Sequence, residues 1–417
     1  MTLGPTRDRL ATHFHRGRRF SLYLLLPAAG FLSPLFVIPA ITYRFGASGW
    51  ASVAVAQSIG SGISTATEMG WGVVGPQRVA GLGKAYREEQ YRLSITSRLI
   101  TVVPGTLIAI IVAFALASSQ DVAVAVLAGA MAAQAMTPSW YFIGIGKPTY
   151  IMWSESVPRI AIALASAIAI RFLNAPLVLY SGLMFLSVPF AQFVARRLIG
   201  SGARIKRRDW RSAPSAARGQ IVMGSGRAVA VLYTSLPITM VRLVAPEAVA
   251  VFAATERLMR MCVKILGSVP LRMQSWIGSA DGDLKEYRIR RAQQLGILMG
   301  ITVGPLYAVT APTISEYVFS GAVSIPYKIS SLSGLLLFII CVSTSYGLTL
   351  VARGKANHIT WAIIPSAGVA VAAIPALALW LGASGGILGE IVAESTGTAI
   401  QARSIQKCSE SADSQQA

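Results

Sequence analysis

Apolar residues fill the chain in blocks long enough to span a bilayer, which takes roughly 20 helical residues, and short polar or basic stretches divide them. Twelve such blocks occur, at about residues 20–43, 49–74, 98–117, 121–146, 150–172, 175–195, 220–243, 247–271, 293–314, 331–351, 357–381 and 384–402. Several contain Gly and Pro, such as Pro27, Pro34 and Pro39 in the first. Membrane helices tolerate these breaks where neighbouring helices re-satisfy the freed backbone groups. The short alternating segments of a membrane barrel are absent. The arginines ahead of the first block resemble a secretory leader, but the block is long, Pro-broken and followed by no small-residue cleavage site. The pattern predicts an all-α polytopic membrane protein with twelve transmembrane helices.

Composition agrees. Hydrophobic residues make up 54% of the 417 and charged ones 13%, whereas a soluble domain carries about a quarter charged residues. So few charges cannot cover a water-facing surface, which excludes a cytosolic enzyme. The 37 Lys and Arg against 17 Asp and Glu give a net charge of +20. In a soluble chain that would point to nucleic acid; in an apolar one it points to loops facing anionic lipid. Cys262 and Cys341 lie inside apolar runs, and no cysteine has a partner at metal or redox spacing.

Basic residues also orient the chain. With the N-terminus inside, they gather in the tail, between Arg78 and Arg98, between Arg196 and Arg218, and between Arg272 and Arg291, while the outer loops hold only Arg44, Arg171, Arg242 and Lys328. Both termini are then cytoplasmic. The outer loops are too short for a catalytic domain. The expected organisation is an N-terminal tail (1–19), a six-helix bundle (20–195), a basic linker (196–219), a second six-helix bundle (220–402) and a C-terminal tail (403–417).

The halves align weakly on each other. At an offset of about 198, the run Pro39 to Arg44 falls over Pro237 to Arg242; later, at about 208, Gly146, Lys147 and Trp153 meet Gly354, Lys355 and Trp361. With an even number of spans each, the halves share orientation. That is the parallel-repeat geometry of transporters that rock around a central cavity.

Ionisable groups inside spans mark the candidate site, because charge there is costly. The eighth span carries Glu256, Arg257, Arg260 and Lys264. At about 100° per residue, 257, 260 and 264 share one face, and arginine recognises phosphate well. The functional reading is a cationic cavity wall for an anionic substrate. The structural alternative has Glu256 neutralise Arg260 and Lys264 snorkel inward. Arg227 in the seventh span joins the cationic set or snorkels. Glu155 and Arg159 in the fifth are spaced to form a structural ion pair. Gln57, Ser61, Ser64 and Glu68 line one face of the second span, as a cavity wall or a packing face. Glu390 and Glu394 in the twelfth have no basic partner in their own span, which makes them candidates for proton or Na⁺ coupling unless an arginine on another helix pairs with them. No catalytic set or metal-ligand cluster accompanies these residues, and no cofactor is expected.

Leu32 to Trp50 with Ala56-Gln57-Ser58-Ile59, Glu68-Met69-Gly70-Trp71-Gly72 running on to Gln77-Arg78, Pro138 to Lys147, and Pro246 to Arg257 are similar to segments of the polysaccharide (O-antigen and capsule) flippases. Those belong to the multidrug/oligosaccharidyl-lipid/polysaccharide exporter superfamily. Where the family often has an acidic–Gly/Phe–Gly pattern, Glu68 and Gly70 here flank Met69. The resemblance implies a flippase of the bacterial inner membrane that moves an undecaprenyl-diphosphate-linked oligosaccharide from the inner to the outer leaflet. Arg257, Arg260, Lys264 and Arg227 would hold the headgroup, and Glu68, Glu390 or Glu394 the coupling ion. Membrane lipid, glycan polymerase and chain-length proteins would be its partners. A multidrug exporter of the same superfamily is the first rival, and it would line its cavity with carboxylates and aromatics. A membrane-embedded glycan polymerase is the second.

Overall fold

Hydrocarbon offers no water to backbone N–H and C=O groups, so each apolar block must satisfy its own as helix. A computed structural model describes the backbone of residues 6–117 and 120–416, with the side chains of 33–72, 74–117, 120–219, 234–267, 269–270, 272–274 and 276–407. Among the described residues every regular element is helical. The first half contains α1 (Thr6–Thr67), α2 (Trp71–Ala80), α3 (Lys84–Leu116), α4 (Asp121–Ala133), α5 (Ser139–Gly144), α6 (Pro148–Ile151), α7 (Val157–Phe172) and α8 (Leu177–Ile199). The second contains α9 (Arg207–Thr234), α10 (Pro237–Val244), α11 (Val249–Leu266), α12 (Ser268–Gly278), α13 (Gly282–Val318), α14 (Tyr327–Ala352) and α15 (Asn357–Gln416). Seven helices or helix runs among the described residues are long and apolar enough to cross a membrane, and the protein is a polytopic membrane protein.

Two of the long helices are each a pair of spans. α1 breaks at Gly46 (φ 64°, ψ −164°) and α15 at Gly382 (φ 58°, ψ −134°), in backbone regions that glycine enters without penalty. In α15 a Cβ at Gly385 would lie 1.9 Å from Leu377 O, and one at Gly389 2.6 Å from Ile374 Cα. These pairs are nearly equidistant from Gly382, so α15 is a tight antiparallel hairpin. Elsewhere the expected spans are less regular. Residues 121–146 divide into α4, a 3₁₀ turn and α5, and residues 150–172 begin with a π turn over Met152–Ser156.

Within the first half α1 packs on α4 and α7, and α4 on α3 and α8; within the second, α14 packs on α13 and α15, and α10 on α15. The weak sequence repeat has a structural counterpart. Gly146 and Gly354 both have φ 72°. Lys147 N donates to Phe142 O at 2.9 Å, and Lys355 N to Leu350 O at 2.8 Å. Each is the same left-handed glycine stop with its six-to-one hydrogen bond.

The halves meet at one end. Trp50 Nε1 donates to Ala250 O at 3.1 Å, and the Trp50 ring lies 5.0 Å from that of Phe319. Ser58 Oγ donates to Ser235 O at 2.6 Å, Arg242 Nε to Leu116 O at 3.0 Å and Ser320 Oγ to Pro39 O at 3.1 Å. A single apolar core runs through both halves here, from Val37 and Trp50 to Phe252 and Ile387. Toward the opposite, basic end the described residues form two separate cores, one around Trp71, Tyr91 and Trp140, the other around Ile277 and Ile289. Among the described residues, contacts between the halves gather at the expected outer end, and the apolar cores toward the expected inner end are separate.

The segment read as a plain linker is docked. Arg92 Nε meets Asp209 Oδ2 at 3.0 Å with both side chains buried, Arg92 Nη1 donates to Gly202 O at 2.5 Å, and Thr96 Oγ1 donates to Asp209 O at 3.3 Å. Lys206 N donates to Asp209 Oδ2 at 2.7 Å, capping the start of α9, which continues unbroken into the seventh span.

Candidate functional site

α11 enters at Val249 from the end where the halves meet, so at about 1.5 Å per residue Arg257 lies some 12 Å deep. The three basic residues expected to share a face separate here. Arg257 is half-buried, and its buried Nε has no hydrogen-bond partner among the described residues. Its electrostatic neighbour is Tyr180 of α8, in the other bundle. Arg260, turned about 60° away, points into the second bundle. Its Nε is 2.9 Å from Glu256 Oε2, and its Nη2 is 3.7 Å from Glu390 Oε1 on α15. Lys264 is exposed. The side chain of Arg227 lies outside the described residues, though its backbone belongs to α9.

This geometry contains the ion pairs named above as the structural alternatives. Arg260 is not an uncommitted cation, because Glu256 lies one turn back on its own helix and Glu390 faces it from α15. Nor do the carboxylates of the twelfth span lack a base, since Arg260 is the cross-helix partner of Glu390. Around them is a cavity with about 30 Å³ of water-accessible space, lined by Arg260, Leu336, Ile340, Glu390, Ala393 and Glu394. Glu390 is 6% exposed, and neither of its carboxylate oxygens accepts a hydrogen bond from the described residues. Glu394 is half-buried at the cavity edge. One guanidinium thus faces three carboxylates.

Glu68 is in the other bundle. It ends the second span at a bend where Met69 and Gly70 both take positive φ (53° and 75°). A Cβ on Gly72 would sit 2.1 Å from Glu68 Oε1, so a side chain there would push the end of Glu68 aside. Gln57, Ser61, Ser64 and Glu68 are each half-buried. From Ser58, which touches the second bundle, Ser61 and Glu68 lie within about 80° around the helix, so the lower stripe borders the region where the cores are separate. Glu155 and Arg159 lie 3.5 Å apart.

The charge pattern places Arg98 among the basic loop residues, yet it is wholly buried and donates to Ala135 O at 2.5 Å and Thr137 O at 3.2 Å. It ties the start of the third span to the break after α4, within electrostatic reach of Glu68 and Glu155. Its place at the very start of an apolar run was the available signal.

No protein-family model matches the chain, and no curated protein matches it. Solved structures do. The chain is similar to a multidrug resistance MATE family transporter of the MOP superfamily in its inward-facing conformation (17% identity, TM-score 0.65, covering 94% of this chain and 98% of that one). It resembles the outward-facing conformation of such a transporter less (16% identity, TM-score 0.52, 92% and 95% covered). A eukaryotic MATE transporter matches at 11% identity and TM-score 0.56, over 94% and 96% of the two chains. The chain has the twelve-helix, two-bundle fold of these transporters along nearly its whole length.

Proposed function

We propose that the protein is an alternating-access flippase for an amphiphile with an anionic headgroup, of the polyprenyl-diphosphate-linked oligosaccharide class, moved from the inner to the outer leaflet of the bacterial cytoplasmic membrane for polysaccharide biosynthesis. The observation that carries this is Arg257. An arginine midway through a membrane helix, with a buried nitrogen lacking a partner and no carboxylate within 4 Å among the described residues, calls for an anion from outside the protein. The separation of the cores toward the inner end gives a headgroup access from the cytoplasmic side, and the better overlap with an inward-facing transporter supports the same state. Arg260, Lys264 and Arg227 extend the cationic wall once the substrate enters. Glu390 and Glu394, with Glu68 in the other bundle, are the carboxylates for proton or Na⁺ coupling. Glycan polymerase and chain-length proteins are the partners that such a pathway requires.

A second reading, export of organic cations, has its own support. The similar structures are multidrug transporters, and the carboxylates around Arg260 exceed it in charge. The readings separate in proteoliposomes loaded with a short-chain polyprenyl-diphosphate sugar or with an organic cation, each with and without a pH or Na⁺ gradient. Translocation of the diphosphate lipid, abolished by Arg257→Ala at unchanged protein level, is the expected result. Transport of the organic cation alone would replace this reading with the second.

A further inference from the structure

Arg260 stands between two demands. It holds Glu256 and Glu390 from inside the bundle, yet its side chain is 33% exposed while theirs are 5% and 6%. A guanidinium has five donors in a planar fork. Two edges face carboxylates, and the remainder is open to whatever enters beside Arg257, one turn away on α11. We infer that Arg260 is an exchangeable counter-ion, drawn from Glu256 and Glu390 toward the phosphates of a bound headgroup while a proton from the aqueous cleft replaces it on the carboxylate pair. The inference rests on the anionic-substrate reading and adds its coupling: headgroup and proton bind together.

The surroundings leave few other ways to balance the charge. Besides Arg260, α11 presents Glu256 and the half-buried Cys262 to this region, with Lys264 exposed one turn further on. From α15 come Glu390 and Glu394, and from α13 comes Tyr307, whose hydroxyl donates to Thr255 O at 3.1 Å. α14 contributes Leu336 and Ile340. No other described base faces the pair. When Arg260 leaves, a buried carboxylate loses its only cation among the described residues, and a buried group in that position protonates instead of standing charged. Forming the new O–H bond consumes one proton from water, and the guanidinium stays charged throughout. About 30 Å³ holds roughly one water, and half-buried Glu394 at the cavity edge provides the route in. Phosphate competes well for the fork because it accepts in bidentate fashion. By linkage, if a proton favours the anion, the anion favours the proton to the same degree.

The test is calorimetric titration of the purified protein with a short-chain polyprenyl-diphosphate N-acetylglucosamine, in two buffers of different ionisation heat at one pH. Both phosphates of that probe are esterified and do not titrate near neutrality, so any proton taken up lands on the protein. Expected are uptake of about one proton per ligand and a Kd that falls by up to about tenfold per unit drop in pH where the pair titrates. Arg260→Gln, with no counter-ion left to exchange, should bind with uptake near zero. The pH dependence of the unaltered protein decides the matter even if that variant fails to fold. Binding without proton uptake and with a flat pH profile overturns the exchange and leaves the anionic substrate standing. No binding of the probe, or binding of an organic cation with proton release, overturns the substrate reading and the exchange with it.

Discussion

Arg257 and Arg260, three residues apart on α11, meet different surroundings because about 60° of rotation separates the bundle boundary from the bundle interior. Arg257→Ala should weaken binding of a diphosphate lipid by about 1.5–3 kcal/mol, the usual size of a hydrogen bond to a charged group, or roughly ten- to a hundredfold in affinity. Because Arg257 has no carboxylate partner among the described residues, the same variant should keep or raise the melting temperature in detergent, and scanning fluorimetry checks that. A marked fall would mean that Arg257 is structural. Helical periodicity was enough to select both arginines, and Glu256 as the neighbour of Arg260. It had no means to bring Glu390 from 130 residues away, since long-range pairing depends on how α15 folds back at Gly382. Arg98 was missed for a related reason: as the first residue of a span it counted as a loop charge, whereas the break after α4 supplies the carbonyls that bury it.

Among the elements, the hairpins and stops were the legible part. The gap between residues 381 and 384 is where Gly382 turns, and the match of Gly146 to Gly354 proved to be one motif used twice. Gly389→Ala should destabilise the α15 hairpin by about 1–3 kcal/mol, because the added Cβ meets the Ile374 backbone at 2.6 Å, where no flexible side chain can give way. A lowered melting temperature with retained membrane insertion is the readout. The linker was less legible. Its Ser, Gly and Pro content and its charge resemble those of a solvated connector, and only the fold shows Asp209 meeting Arg92. Removing one partner of a buried ion pair costs about 3–5 kcal/mol, so Asp209→Ala should undock the segment. Faster tryptic cleavage at Arg204, Lys206 and Arg207 would report it; an unchanged cleavage rate would show that the pair does not hold the linker.

At the scale of the whole molecule, the twelve-helix plan and its two halves followed from block length and charge asymmetry, while the end at which the halves meet did not, because a hydrophobic pattern does not say which spans touch across the bundles. Trp50 is one of the residues through which the shared core joins the halves. Trp50→Ala removes its hydrogen bond to Ala250 and its contact with Phe319. Spin labels at Ser48 and Glu247, both on the crevice at that end, should then report a longer-distance population. An unaltered distribution would shift the latch to Ser58 and Arg242. The docked linker bears on how far the halves can travel. α9 leaves the Asp209 clamp on the first bundle and reaches the second as one helix of 28 residues, so the joint is a rod and has no slack to pay out. Pro214 lies inside that rod, where it removes one hydrogen bond of the ladder and makes it the natural place to flex. In the proposed alternating access, the stiffness of a single helix at Pro214, more than the length of any loop, would then set how far the halves move.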